Sequence, residues 1–229
     1  LDGGSGADSA SYSDAASGLV ADLGYSANNS GDAVGDIYTS IEGLTGSAYA
    51  DLLLGDDQGN MINGGAGGDA IYGRGGNDVL QGEDGNDFLF GSAGGDLLDG
   101  GAGFDYAMYS DAQSGVVADL VAPGGSFGDA LGDTYSGIEG LIGSAFNDIL
   151  RGDAGDNWIY GGNGSDVLFG RDGADVLLGE AGIDYLYGDA GADNLIGAAG
   201  DDHLTGGAGA DILNGGDGFD YAHYDAAPA

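Results

Sequence analysis

Aspartate returns every ninth residue along most of this chain, five residues after a glycine: Asp166 follows Gly161, Asp175 follows Gly170, Asp184 follows Gly179. Carboxylates at fixed spacing could act as general acids and bases, or as hard oxygen ligands for a cation. The acid–base reading weakens because nearly every aspartate already has a place in the repeat. No HExxH or phosphate-loop motif accompanies them. Transition metals would call for imidazole or thiolate, yet the chain has two histidines and no cysteine. The residue types favour a hard divalent cation.

The elements that must position these carboxylates follow from the nine-residue frame, with glycine at position 1 and aspartate at position 6. One unbroken run of seven repeats begins at Gly46 and one of nine begins at Gly143; a solitary repeat opens at Gly3. Glycines at positions 1, 2 and 4 allow the left-handed backbone of a tight turn. Positions 7 to 9 then read as a short strand whose position 8 points inward. That position holds Leu53, Ile62, Ile71, Leu80, Leu89 and Leu98 in the first run, and Leu150 through Leu213 in the second. One turn plus one strand is half a coil, so 18 residues close a coil. The fold expected is all-β: a right-handed parallel β-roll with two stacked sheets and aliphatic residues between them. Turns stacked about 4.8 Å apart line the carboxylates into rows that repel without counterions. Ca²⁺, which takes six to eight oxygen ligands, suits such rows better than Mg²⁺, which keeps its waters.

Two spacers, 12–45 and 109–142, align without a gap and share YSDA, VADL, GDA and IEGL. The expected organisation is the end of a preceding run (1–11), a spacer (12–45), a seven-repeat run (46–108), a spacer (109–142), a nine-repeat run (143–223) and the start of a third spacer (224–229). The two super-repeats differ by 18 residues, one whole coil, which keeps alternate repeats on their own side. The last repeat of each run carries Ala107 or Ala222 at position 8, a tapering core, while Leu44 and Leu141 keep that position at the spacer ends. The chain reads as a piece of a longer array, and no signal peptide is visible at Leu1. A formal charge of −36, with 39 acidic residues against three arginines, disfavours nucleic acid and anionic membranes as partners. No apolar run is long enough for a membrane span.

The pattern GGxGxDxUx, with U large and apolar, resembles the RTX (hemolysin-type) calcium-binding repeats, across 153 of 229 residues. The resemblance implies a ligand set for about twelve calcium sites, each between one loop and the next but one. One loop offers the carbonyls of positions 2 and 4 and its aspartate; the other offers the carbonyls of positions 1 and 3 and its own aspartate. A representative site joins Gly162, Gly164 and Asp166 to Gly179, Ala181 and Asp184; its counterpart joins Gly65, Gly67 and Asp69 to Gly82, Asp84 and Asp87. The implied carboxylates are otherwise Asp51, Asp78, Asp96 and Asp105, then Asp148, Asp175, Asp193, Asp202, Asp211 and Asp220. Position 1 adds Gly64, Gly73, Gly91 and Gly100, then Gly161, Gly170, Gly188, Gly197, Gly206 and Gly215. Position 3 adds Ala66, Gly75, Ala93 and Ala102, then Asn163, Asp172, Ala190, Ala199, Ala208 and Asp217. Position 4 adds Gly76 and Gly85, then Gly173, Gly182, Gly191 and Gly200.

The pattern departs at Asn60 and Asn157, which hold position 6 eighteen residues after Glu42 and Glu139. Each Glu–Asn pair is either an altered calcium site or a place where a carboxylate–amide hydrogen bond replaces the ion; Asp8, in the solitary repeat, is a further candidate ligand. Arg74 and Arg171 hold equivalent position-2 sites and suggest salt links over nearby carboxylates. Outward positions carry Tyr72, Phe88, Phe90 and Tyr106 in the first run; the second has Phe169, Tyr185, Tyr187, His203, Tyr221 and His223 on one sheet and Trp158, Tyr160, Val176, Leu178, Ile196 and Ile212 on the other. Such bands could bind glycans or pack on neighbouring domains. The two histidines read as unpaired surface residues, a metal pair being the rarer alternative. The function expected is a non-enzymatic calcium-binding module of a large protein exported by type I secretion, disordered where calcium is scarce and folded outside or on the surface of a Gram-negative bacterium. The alternatives are an adhesin or surface-layer segment, and an accessory module of a secreted protease, lipase, epimerase or lyase.

Overall fold

The computed structural model describes residues 1–224, so all but Tyr224 of the segment expected to begin a third spacer lies outside the described residues. Two compact units emerge: Leu1–Ala107 with Gly132–Ile138, and Met108–Leu131 with the chain from Glu139 onward. Each is a parallel β-solenoid, and no α-helix occurs among the described residues.

The strands are short and regularly spaced. In chain order they are β1 (Ser9–Ser11), β2 (Val20–Asp22), β3 (Gly43–Thr45), β4 (Leu52–Leu54), β5 (Met61–Ala66), β6 (Ala70–Tyr72), β7 (Val79–Asp84), β8 (Phe88–Phe90), β9 (Leu97–Ala102) and β10 (Tyr106–Met108). Next come β11 (Val117–Asp119), β12 (Thr134–Ser136), β13 (Gly140–Ile142), β14 (Ile149–Arg151), β15 (Trp158–Asn163) and β16 (Val167–Asp172). The last are β17 (Val176–Ala181), β18 (Tyr185–Gly191), β19 (Asn194–Ala199), β20 (His203–Gly209), β21 (Ile212–Asp217) and β22 (Tyr221–His223).

In the first unit, one sheet runs β1-β3-β5-β7-β9-β12 and the other β2-β4-β6-β8-β10. The second unit has β13-β15-β17-β19-β21 and β11-β14-β16-β18-β20-β22. Register within the runs advances by one coil, as Leu168 pairs with Leu186 and Leu186 with Leu204. Every pairing between these strands is parallel, so position 8 stacks on position 8 and builds an aliphatic column. Leu53, Ile62, Leu89, Leu150, Ile159 and Leu186 are wholly buried. Removing such surface from water is worth about 1.5–3 kcal/mol per side chain. Leu213 and Ala222 are the exceptions: they lie on β21 and β22, each with a neighbour on one side only, and Leu213 is half-buried while Ala222 is exposed.

Several strands are longer than the three residues expected. β5, β7 and β9, and most of β15–β21, continue through the glycines to position 3, so part of each turn also pairs with its neighbour. The spacers also join the solenoid. β2 pairs with β4, setting Ala21 against Leu53, and β11 pairs with β14, setting Ala118 against Leu150. Both alanines are fully buried and extend the position-8 column. The excess residues leave as an excursion bearing two short 3-10 turns, Ser26–Asn28 and Gly31–Ala33 in the first spacer.

Candidate metal centre

The loops between strands hold the aspartates, and their geometry repeats. Each position-6 carboxylate places Oδ1 on the main-chain N–H of the residue one coil earlier. Asp166 N–H donates to Asp184 Oδ1 at 2.8 Å, Asp175 N–H to Asp193 Oδ1 at 2.9 Å, and Asp69 N–H to Asp87 Oδ1 at 2.7 Å. The second oxygen behaves differently. Oδ2 of Asp8, Asp69, Asp78, Asp87, Asp96, Asp166, Asp175, Asp184, Asp193 and Asp202 is buried without a hydrogen-bond partner. An ionised oxygen in that state is costly, and a native fold holds it only with a counterion or a proton.

Burial is the main cause of the raised pKa along the middle of the column. It pushes Asp69, Asp78, Asp166 and Asp175 up to about 7 and Asp184 to about 6, against the pull of the N–H bond. Carboxylates on adjacent coils add to the rise, as Asp148 and Asp184 do for Asp166. Asp87, Asp96, Asp148, Asp193 and Asp202 shift upward for the same leading reason.

Glycine gives these oxygens their space. A Cβ at Gly161 would overlap Asp166 Oδ2 and come within 2.9 Å of the Gly179 carbonyl oxygen. The bare position-1 glycine thus leaves a cradle bordered by a carboxylate and by the position-1 carbonyl of the next coil. From the third loop of each run onward, position 2 is left-handed even where it is not glycine, with φ of 75° at Arg74, 76° at Glu180 and 80° at Ala198. That costs each about 1–2 kcal/mol, so the loop shape is imposed by its surroundings. The Gly164 carbonyl points at Gly182 in the coil above. Asp166, Asp184, Gly164 and Gly179 therefore border one gap. The Ala181 carbonyl accepts the Gly164 N–H at 2.8 Å and keeps its second lone pair.

The first two loops of each run differ. Asp51 Oδ2 accepts Ser47 N–H at 2.5 Å, and Asp148 Oδ2 accepts Ser144 N–H at 2.6 Å. Asn60 and Asn157 Oδ1 accept Asp56 and Asp153 N–H, both at 2.8 Å. Each side chain closes on position 2 of its own loop. The amides of Asn60 and Asn157 donate to the main-chain carbonyls of Glu42 and Glu139 at 3.3 Å, where a bond to the glutamate carboxylate was the alternative expected, and the Asn60 amide also reaches Asp56 Oδ1 at 3.4 Å. Glu42 itself accepts Asp8 N–H at 3.0 Å through its carboxylate.

Three spacer aspartates escaped the repeat frame. Asp133 is fully buried and accepts Asp96 N–H at 2.9 Å, so it continues the ladder from within the spacer. Asp22 and Asp119 receive Arg74 and Arg171 at 2.8 Å. Burial raises Asp22, but hydrogen bonds from Arg74, Asn28 and the Tyr25 N–H outweigh it and hold the carboxyl below its ordinary value. Asp119 is lowered likewise, burial being opposed by Arg171 and two N–H groups. The shared VADL and GD segments were the available signal.

The outward aromatics form columns. Tyr185, His203 and Tyr221 stack at 4.5 and 4.9 Å, and Phe169 stacks on Tyr187 at 4.9 Å. The histidines are paired, with His203 Nδ1 lying 2.9 Å from His223 Nε2, contrary to the expectation of unpaired residues. Phe90, expected outside, is buried and stacked on Tyr72 at 4.0 Å. Groups of three or more His, Cys, Asp or Glu side chains suited to a metal do not occur among the described residues. Any ion here would rest on main-chain carbonyls as much as on carboxylates.

A parallel β-roll with glycine-lined turns and one inward carboxylate per turn defines a calcium-type repeat module. Residues 45–80, 72–107, 135–168, 142–177, 169–202 and 187–222 match the RTX calcium-binding nonapeptide repeat, a family described in units of four copies. The chain belongs to that family, and its repeats are calcium-binding ones. No curated protein matches it.

Proposed function

We propose that the chain is a calcium-stabilised segment of a larger secreted bacterial protein, folding where calcium is abundant and assisting that protein's export and stability outside the cell. The column of buried, unpartnered Oδ2 atoms carries this reading. Ten ionised oxygens in that setting would oppose folding at neutral pH, and the cradles beside them suit a hard cation. Asp166, with the Gly162 and Gly164 carbonyls, and Asp184, with the Gly179 and Ala181 carbonyls, are the donors of one such site; the same positions serve along both runs. Bound calcium would neutralise the carboxylates and tie adjacent coils together. The unit of organisation in this reading is a spacer followed by its run, with the spacer's strand starting the coil. The ring faces of the aromatic columns are turned to one another, which favours a structural role for them over stacking on glycans.

Circular dichroism and calorimetry on the full chain test the proposal. Strand signal should be weak with chelator and appear cooperatively with calcium, while magnesium at equal concentration should not replace it. A chain equally folded with chelator and with calcium would refute it.

A further inference from the structure

We infer that each run opens on a calcium-independent base, in which the guanidinium of Arg74 or Arg171 is a built-in cation and the first two loops close on themselves. This rests on the calcium reading of the remaining loops. Arg74 leaves the fourth loop of its run, yet its contacts lie one and two coils earlier. Nη1 donates to the Gly55 carbonyl and to Asp22 Oδ1, and Nη2 donates to Asp22 Oδ2 at 2.9 Å. Gly55 is a position-1 glycine, so its carbonyl is the kind of donor assigned to calcium elsewhere. Asp22 ends β2, the spacer strand that begins this sheet. A position-1 carbonyl and a carboxylate on adjacent coils thus share a positive charge supplied by the protein.

The arrangement recurs in the second unit. Arg171 donates to the Gly152 carbonyl and to Asp119 Oδ2. Asp22 is closed further by the N–H groups of Gly24 and Tyr25, and Asp119 by those of Val121 and Ala122. An independent observation concerns the neighbouring loops. Asp51, Asn60, Asp148 and Asn157 all bond to position 2 of their own loop, and neither Asp51 nor Asp148 has a partnerless buried oxygen. Positive φ at position 2 begins at Gly65 in the first run and Gly162 in the second, so the earlier loops lack the open shape. Lysine would supply the charge, but only arginine's planar fork engages both Asp22 oxygens.

The expectation is about eight bound calcium ions rather than twelve, because the four pairings that include a closed loop drop out. Equilibrium dialysis of the full chain against radioactive calcium counts them. About eight supports the inference; about twelve overturns it while leaving the calcium reading intact; none overturns both. Arg74→Met with Arg171→Met should leave the count unchanged and raise the calcium midpoint of folding roughly two- to fivefold. Arg74→Lys with Arg171→Lys should recover most of that shift. An unchanged midpoint in the methionine variant, or a lysine variant no better than methionine, refutes the role given to the charge.

Discussion

Replacing Asp184 by asparagine should change stability in opposite directions with and without calcium. In the cation-free fold this carboxyl titrates at about 6, against an ordinary 3.8, chiefly because it is buried. The folded form therefore holds its proton more tightly than the unfolded chain. The resulting cost is absent below about pH 4, grows as pH rises, and is complete above the folded value. At about pH 7.5 it amounts to about 3 kcal/mol, which the neutral amide removes. The amide keeps the oxygen that accepts Asp166 N–H, and Asn60 and Asn157 show that these loops accommodate the residue. With calcium the sign reverses. Asp184 borders the gaps toward Asp166 and Asp202, and losing both ions at tenfold excess removes about 3 kcal/mol. Urea unfolding followed by circular dichroism, with saturating calcium and with chelator plus a stabilising osmolyte, measures both arms. A variant destabilised equally in the two media would refute the reasoning, because Asp184 would then be a packing residue and not a charge awaiting a partner.

Other outcomes follow from the same geometry. Acid should partly replace calcium: Asp69, Asp78, Asp166 and Asp175 titrate at about 7 when folded, so stability of the cation-free fold falls from about pH 4 to 7, and chelated protein should gain strand signal on acidification. Gly182→Ala should cost more than about 3 kcal/mol and weaken calcium binding nearby, because Gly182 has φ of 148° and an added Cβ would overlap the Gly164 carbonyl; calorimetry with calcium measures both. Leu177→Ala should cost about 2–5 kcal/mol in calcium, read by urea unfolding, since Leu177 is wholly buried between Ile159 and Leu195.

The coil was legible because its determinants are periodic. Position 8 shows as a column of leucine and isoleucine, and the frame tolerates neither insertion nor deletion. The spacer strands were hidden because Ala21 and Ala118 do the work of leucine with a side chain too small to mark the pattern. Arg74 and Arg171 stood out as twins, but their partners lie 52 residues upstream and only folding makes them neighbours. The closed first loops were signalled by Tyr49, Gln58 and Phe146 in place of glycine at position 4. The closing bond itself, from a main-chain N–H, is invisible in side-chain identities. Phe90 was misplaced because alternation assigns a face to the strand, not what lies against that face.

The aspartate ladder has a polarity. Each coil offers an N–H to the carboxylate of the coil that follows, from Asp148 through Asp166, Asp184 and Asp202 to Asp220. Trimming the array from its carboxyl side bares a main-chain N–H, whereas trimming from the amino side bares a carboxylate oxygen. The roll therefore has unlike ends, as a filament does: a coil added at the carboxyl end must bring a carboxylate, and one added at the amino end must bring an N–H.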